Sequence, residues 1–103
     1  VQITPEDALR SMGLSDKEIK IYLACLQLGT ATANQISEKS YLNRSTTYDI
    51  LKNFIERGIA SKVLIKDTAY FEMAEPTKLI SDLEEKKEKM LQALKGFEVL
   101  KQK

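Results

Sequence analysis

Thr32-Ala33-Asn34-Gln35-Ile36-Ser37-Glu38-Lys39-Ser40-Tyr41-Leu42-Asn43-Arg44-Ser45-Thr46-Thr47-Tyr48-Asp49-Ile50-Leu51-Lys52-Asn53-Phe54-Ile55-Glu56-Arg57-Gly58 reads as two short helices on either side of a tight connection. Thr32 and Gln35 form a T-x-x-Q capping box, in which the hydroxyl accepts an amide proton of the first turn and the glutamine side chain returns to the cap's own amide. The helix it opens runs through Ala33 and Ile36 to Lys39, and Ser40-Tyr41-Leu42 turns the chain. Asn43 is the next N-cap. Behind it Thr47, Leu51, Phe54 and Ile55 recur at helical spacing until Gly58 stops the helix. Two helices so joined, the second well capped, make a helix–turn–helix. An αα-hairpin that only packs has the same outline, so the flanking sequence matters.

Downstream the period changes from helical to alternating. Ile59-Ala60-Ser61-Lys62-Val63-Leu64-Ile65 and Ala69-Tyr70-Phe71-Glu72-Met73-Ala74 read as strands, with the polar Lys66-Asp67-Thr68 between them. No Asn-Gly or Asp-Gly marks the turn, so its type stays open. A lone hairpin is marginal in water, so this one must pack on the helices. Upstream, Ser15 and Glu18 make a second capping box ahead of Ile19, Tyr22, Leu23 and Leu26, and Gly29 closes that helix. Before it, Thr4-Pro5-Glu6-Asp7 reads as a cap, a first-turn proline and two acids, opening a short helix through Leu9 and Met12. Three helices followed at once by a hairpin are the order of a winged helix. The predicted class is α+β, mostly α, with residues 1–75 as the winged-helix domain.

Glu75-Pro76 restarts a helix, and from there to Lys103 no proline intervenes and the only glycine is Gly96. Residues 76–103 are expected to form one long amphipathic helix. With Leu83, Met90 and Phe97 at a positions, Leu79, Lys86, Ala93 and Leu100 fall at d. Such a stripe cannot bury itself against so small a core and needs a partner. A homodimer is expected, paired through Leu79, Leu83, Met90, Leu94, Phe97 and Leu100. Lys86 and Lys87 interrupt the stripe, either as a kink or as a register device in an antiparallel pair; the sequence leaves parallel and antiparallel pairing open.

Composition fits this reading. At 103 residues, 43% hydrophobic and 30% charged, the chain suits one ordinary domain. There is no histidine and a single cysteine, Cys25, so the usual general base, the usual metal ligand and an internal disulfide are all missing. Neither a Gly-rich phosphate loop nor a metal-ligand cluster is present, and no cofactor, metal or catalytic residue is expected. No apolar run approaches membrane length and no leader pattern opens the chain, which points to a cytoplasmic protein with no membrane partner. Val1 in place of Met reads as the start of a trimmed or excised chain. Net charge is +1, but Lys39 to Lys66 carry six basic residues against Asp49 and Glu56, an excess of four. A surface that meets phosphate needs a local excess of this kind.

If the second helix of the motif enters a major groove, its outward residues do the work. With Thr47, Leu51 and Phe54 turned inward, these are Asn43, Arg44, Ser45, Thr46, Tyr48, Asp49 and Lys52. Arg44 can fork onto a guanine edge or clamp a phosphate, and the hydroxyls suit either target. Asp49 repels phosphate and better suits orienting Arg44 or Arg57, or selecting a cytosine amino group. In the wing, Lys62 and Lys66 can reach backbone or minor groove, although edge strands also use lysine to block aggregation. Thr32 is explained by its capping role. Cys25 reads as a small packed residue rather than a redox sensor, and Tyr41 and Tyr70 as packing residues.

These residues carry a family likeness. Leu14, Ser15, Glu18, Tyr22, Gly29, Thr32 and Ala33, followed by Arg44, Ser45, Tyr48 and Leu51, resemble the N-terminal domain of the TrmB-like transcriptional regulators, common in archaea. The likeness spans about Leu9 to Leu83. It implies a winged helix that binds promoter DNA as a dimer, with Arg44, Ser45, Thr46 and Tyr48 at the start of the recognition helix, about residues 44–57, and Leu51 in its core. Larger members add a C-terminal domain that binds sugars, and the chain ends too soon to hold one. Sugar sensing is therefore not carried over, and the effector is left open. The expected function is sequence-specific double-stranded DNA binding by a homodimeric regulator, with the wing, about residues 66–69, on the backbone or minor groove. The alternative is a winged helix used as a protein–protein module without direct DNA contact, which the low net charge and Asp49 favour.

Overall fold

The computed structural model describes residues 2–102; Val1 and Lys103, the outer ends of the two expected domains, lie outside the described residues. The order is α1 (Pro5–Ser11), α2 (Asp16–Leu28), α3 (Ala33–Ser40), α4 (Arg44–Glu56), β1 (Ala60–Ile65), β2 (Thr68–Met73), α5 (Pro76–Gln92) and α6 (Leu94–Lys101). Capping chemistry places the helix starts. Thr4 accepts the Asp7 amide proton at 3.1 Å, and the Ser15–Glu18 and Thr32–Gln35 boxes are both closed in the two directions. Each cap satisfies donors that a helix start otherwise leaves orphaned.

Helices α2, α3 and α4 surround a core of Ile19, Ile21, Tyr22, Cys25, Ile36, Leu51 and Phe54, all buried. The inner face of α2 is rotated from the expected stripe: Ile21 and Cys25 are buried, while Leu26 is exposed and Leu23 only half-buried. The hairpin closes the core from one side, as Phe71 and Met73 point in. The Tyr22 hydroxyl donates to the Ala74 carbonyl at 2.8 Å, which ties the end of β2 to the centre of α2. Desolvation, then the charges of Glu75 and Cys25, raise the Tyr22 phenol above its usual range. Cys25 is fully buried, and burial pushes its thiol up to about 11; it packs as a small apolar residue.

The hairpin is antiparallel, in register from Ala60 opposite Met73 to Ile65 opposite Thr68. Its turn therefore consists of Lys66 and Asp67 alone, with φ of 49° and 65°. Both residues are left-handed, as a type I′ turn requires, although neither is glycine. The hairpin also has a third strand, one residue long. Ala31 exchanges both backbone hydrogen bonds with Phe71, at 3.0 and 2.7 Å. Paired on both edges, β2 is the middle of the sheet, and β1 is an open edge.

The C-terminal segment departs from expectation. In place of one helix over 76–103 there are two, and the break falls at Ala93 (φ −87°, ψ −4°), not at Lys86 and Lys87, through which α5 runs unbroken. The Ala93 amide still reaches Lys89 and the Ala93 carbonyl still accepts from Phe97, so the fault is confined to one turn. Gly96, which costs a helix interior about 1 kcal/mol relative to alanine, sits in the next turn, and no residue of α6 is buried to offset it. The arm projects from the body: the radius of gyration is 16.9 Å, against about 13 Å for a compact domain of this length.

Candidate nucleic-acid interface

The outer surface of α4 follows from how the helix is held. Asn43 caps it by accepting the Thr46 amide proton at 2.7 Å. Thr47 is fully buried, and its hydroxyl donates to the Asn43 carbonyl at 2.9 Å. Leu51 and Phe54 continue the buried row. At the far end Arg57 donates to Glu18 at 3.3 Å, joining the end of α4 to the capping box of α2. The turn before α4 is held by the Ser37 hydroxyl, which donates to the Leu42 carbonyl at 2.6 Å.

With that side fixed, Arg44, Tyr48 and Lys52 fall on successive turns of an adjoining face, roughly a quarter turn around the helix from the buried row, and all three are exposed. Four-residue spacing stacks them along the helix over about 12 Å, close to the width of a major groove. The Arg44 guanidinium lies 5.7 Å from the centroid of the Tyr48 ring, a cation–π contact worth about 0.5–1 kcal/mol at an exposed site. It orders the arginine along the helix without using up its donors. Ser45 and Asp49 flank this row and are also exposed.

The other sequence candidates divide. Asn43 is exposed, but its side-chain oxygen is occupied by capping. Thr46 is half-buried, and its amide serves that cap. Lys62 and Lys66 are exposed on the hairpin, Lys62 opposite Phe71 and Lys66 in the turn. Among the described residues no hydrogen bond or ion pair links either lysine to α4. Of the arm residues, Leu79 is 7% exposed and belongs to the protomer's own core, so its side chain is already spent; Leu83, Met90, Leu94, Phe97 and Leu100 are exposed.

Two surface features were not anticipated. Tyr41, expected to pack, is 94% exposed and caps α3 in the left-handed conformation at φ 60°. The signal available was the brevity of Ser40-Tyr41-Leu42, which forces a left-handed residue somewhere in the join. Tyr70, in contrast, is half-buried. The wing also exposes Val63, Leu64 and Ile65 in succession; alternation made β1 legible as a strand, but not that both of its faces meet solvent near the tip.

Among the described residues there is no group of three His, Cys, Asp or Glu able to hold a metal, and no helix is long and apolar enough to cross a membrane. The model of the family described as "Sugar-specific transcriptional regulator TrmB" matches residues 9–77. No curated protein matches the sequence. Among solved structures the chain is similar to TrmBL2, an archaeal chromatin protein described as showing a novel mode of DNA binding. The identity is 24% and the TM-score 0.71, over 90% of this chain but only 38% of that one. It is also similar to a MarR family protein from Bacillus stearothermophilus, at 22% identity and TM-score 0.60 over 84% of this chain and 62% of that one. The ST1889 protein of Sulfolobus tokodaii matches at 18% identity and TM-score 0.59, covering 92% of each chain. At these identities the likeness is one of fold, and it makes the hairpin after α4 the wing of a winged helix.

Proposed function

The chain belongs to the TrmB family of transcriptional regulators, which are not enzymes, and on that premise we propose that it is a cytoplasmic, sequence-specific double-stranded DNA-binding protein acting as a homodimer. Helix α4 enters the major groove, and the tip of the wing lies on the backbone or in the minor groove. The observation that carries this reading is the exposed row Arg44, Tyr48 and Lys52 on a helix that the buried row Thr47, Leu51 and Phe54 holds against the core. Arg44 reads a guanine edge or a phosphate; Ser45 and Tyr48 offer hydroxyls; Lys52, Lys62 and Lys66 meet phosphate. Asn43 and Thr46 support these contacts by setting the start of the helix. The exposed arm residues Leu83, Met90, Leu94, Phe97 and Leu100 supply the contact between copies.

Fluorescence anisotropy on promoter duplexes, at low and then raised salt, tests the proposal. Binding should weaken steeply with salt, because each phosphate neutralised releases counterions. Arg44→Ala and Lys52→Ala should each weaken binding and flatten the salt slope while leaving the melting temperature in place. No binding at low salt, or binding indifferent to salt, refutes it. A protein–protein role has one observation in its favour, the exposed aliphatics Val63, Leu64 and Ile65 of the wing. A stoichiometric protein partner that copurifies with the chain, together with no duplex binding, would establish that role instead.

A further inference from the structure

The arm carries a charge pattern that the α4 surface does not explain. From Glu75 to Glu85 it holds Lys78 against Glu75, Asp82, Glu84 and Glu85, a net −3; from Lys86 to Lys101 it holds five lysines against Glu88 and Glu98, a net +3. At the base of the arm lies a groove of about 290 Å³ lined by Pro5, Ala8, Leu23, Leu26, Pro76 and Ile80 among others, carbon on nearly every side. At its tip lies α6, eight residues with none buried, exposing Leu94, Phe97 and Leu100. The groove is an apolar site without an occupant, and α6 is an apolar helix without a site. They cannot meet within one chain, because α5 stands between them as a continuous helix of 17 residues, a rod of about 25 Å.

We propose that two copies pair with their arms antiparallel, crossing near Lys87, and that α6 of each copy seats in the groove that α1, α2 and the start of α5 form on the other. This rests on the homodimer reading above and gives it an orientation and a second contact. Antiparallel pairing sets the −3 half of each arm against the +3 half of its partner, whereas parallel pairing stacks like on like. Packed helix axes lie about 8–10 Å apart, within or near the Debye length at physiological salt, so the sign of this pairing matters. Ile80 and Leu94 stand equally far, seven residues, on either side of Lys87. A crossing there brings Leu94 of one copy over Ile80 of the other and carries Phe97 and Leu100 toward Pro76 and α1. The break at Ala93 falls between α5 and α6, the place where docking off the α5 axis needs a bend. Along the groove α1 carries Glu6 and Asp7 against Arg10, and α6 carries Lys95 and Lys101 against Glu98, so the rim charges also complement each other.

Two cysteine substitutions made separately in the full chain, Ile80→Cys and Leu94→Cys, test this under mild oxidation; native Cys25 is fully buried and stays silent. Light scattering of each reduced variant gives its mass, and a circular dichroism melt confirms folding. The expected result is a dimer mass throughout, a disulfide-linked dimer when the two variants are mixed and exchanged, and none when either is oxidised alone. Self-linking of the single variants would mean parallel arms and overturn the proposal. A dimer mass with no link in the mixture would overturn the orientation and leave the homodimer standing. A monomer mass would overturn both.

Discussion

Asn43 gives the sharpest separation of fold from function, because one atom serves the fold while its position faces the proposed ligand. Its side-chain oxygen accepts the Thr46 amide proton at 2.7 Å. Asn43→Ala removes that acceptor and should cost about 1 kcal/mol, lowering the Tm by roughly 4–8 °C for a domain of this size. Asn43→Asp keeps an acceptor in the same place and adds a negative charge at the helix start, which contributes roughly 0.3–1 kcal/mol of its own. The aspartate variant should therefore melt at or above the parent temperature. On DNA the order reverses. A carboxylate about 6 Å from a phosphate repels it by roughly 0.7–2.8 kcal/mol for effective dielectric constants of about 80 down to 20, so affinity should fall about threefold to a hundredfold at low salt. Thermal melts and anisotropy titrations of the three proteins read both effects. Were Asn43→Asp to melt as low as Asn43→Ala, the side chain would not be the cap. Were it to bind duplex DNA as tightly as the parent at low salt, the start of α4 would not face phosphate.

Three further outcomes follow from the geometry. Phe54→Ala, at a fully buried position on the inner side of α4, should cost about 3–5 kcal/mol and shows as a large drop in the urea midpoint. Replacing Lys66-Asp67 by Asn-Gly should raise the unfolding free energy by about 1 kcal/mol and shift the urea midpoint upward, because the turn already demands two left-handed residues that other side chains adopt at a cost. The Cys25 thiol is raised from 9.0 to about 11, so the native state holds its proton to higher pH than the unfolded chain does. Its contribution is whole below the unfolded value and is lost as pH rises through that window. By linkage this removes roughly 2–3 kcal/mol, and urea midpoints of parent and Cys25→Ala on the two sides of the window should diverge accordingly.

The candidate surface was legible in part. Thr47, Leu51 and Phe54 had to point inward because their spacing is helical and their neighbours are polar, which left Arg44, Tyr48 and Lys52 outside. The same logic failed for Tyr41, because an aromatic residue in a short join has no periodicity to place it. Its backbone is fixed by the angle at which α3 meets α4, and its ring is left in solvent. Leu26 and Leu79 show the opposite limit. Both lie on apolar stripes, yet Leu26 is outside and Leu79 inside, because a stripe is wider than the line along which two elements touch.

Local chemistry in the chain was enough to set where the helices start, where they stop and what order they follow, since caps and glycines act within a few residues of themselves. It was enough for the hairpin too, because alternation is a property of one strand. Contacts that join distant residues depended on tertiary structure. The Ala31–Phe71 bridge, the Tyr22 hydroxyl on Ala74, the Arg57–Glu18 pair and the rotation of α2 that exposes Leu26 all belong to this class. They depend on the distances and angles between packed elements, which no local pattern encodes. The break at Ala93 lies between the two cases: Gly96 weakens the helix locally, and the lack of anything packed against α6 lets that weakness show.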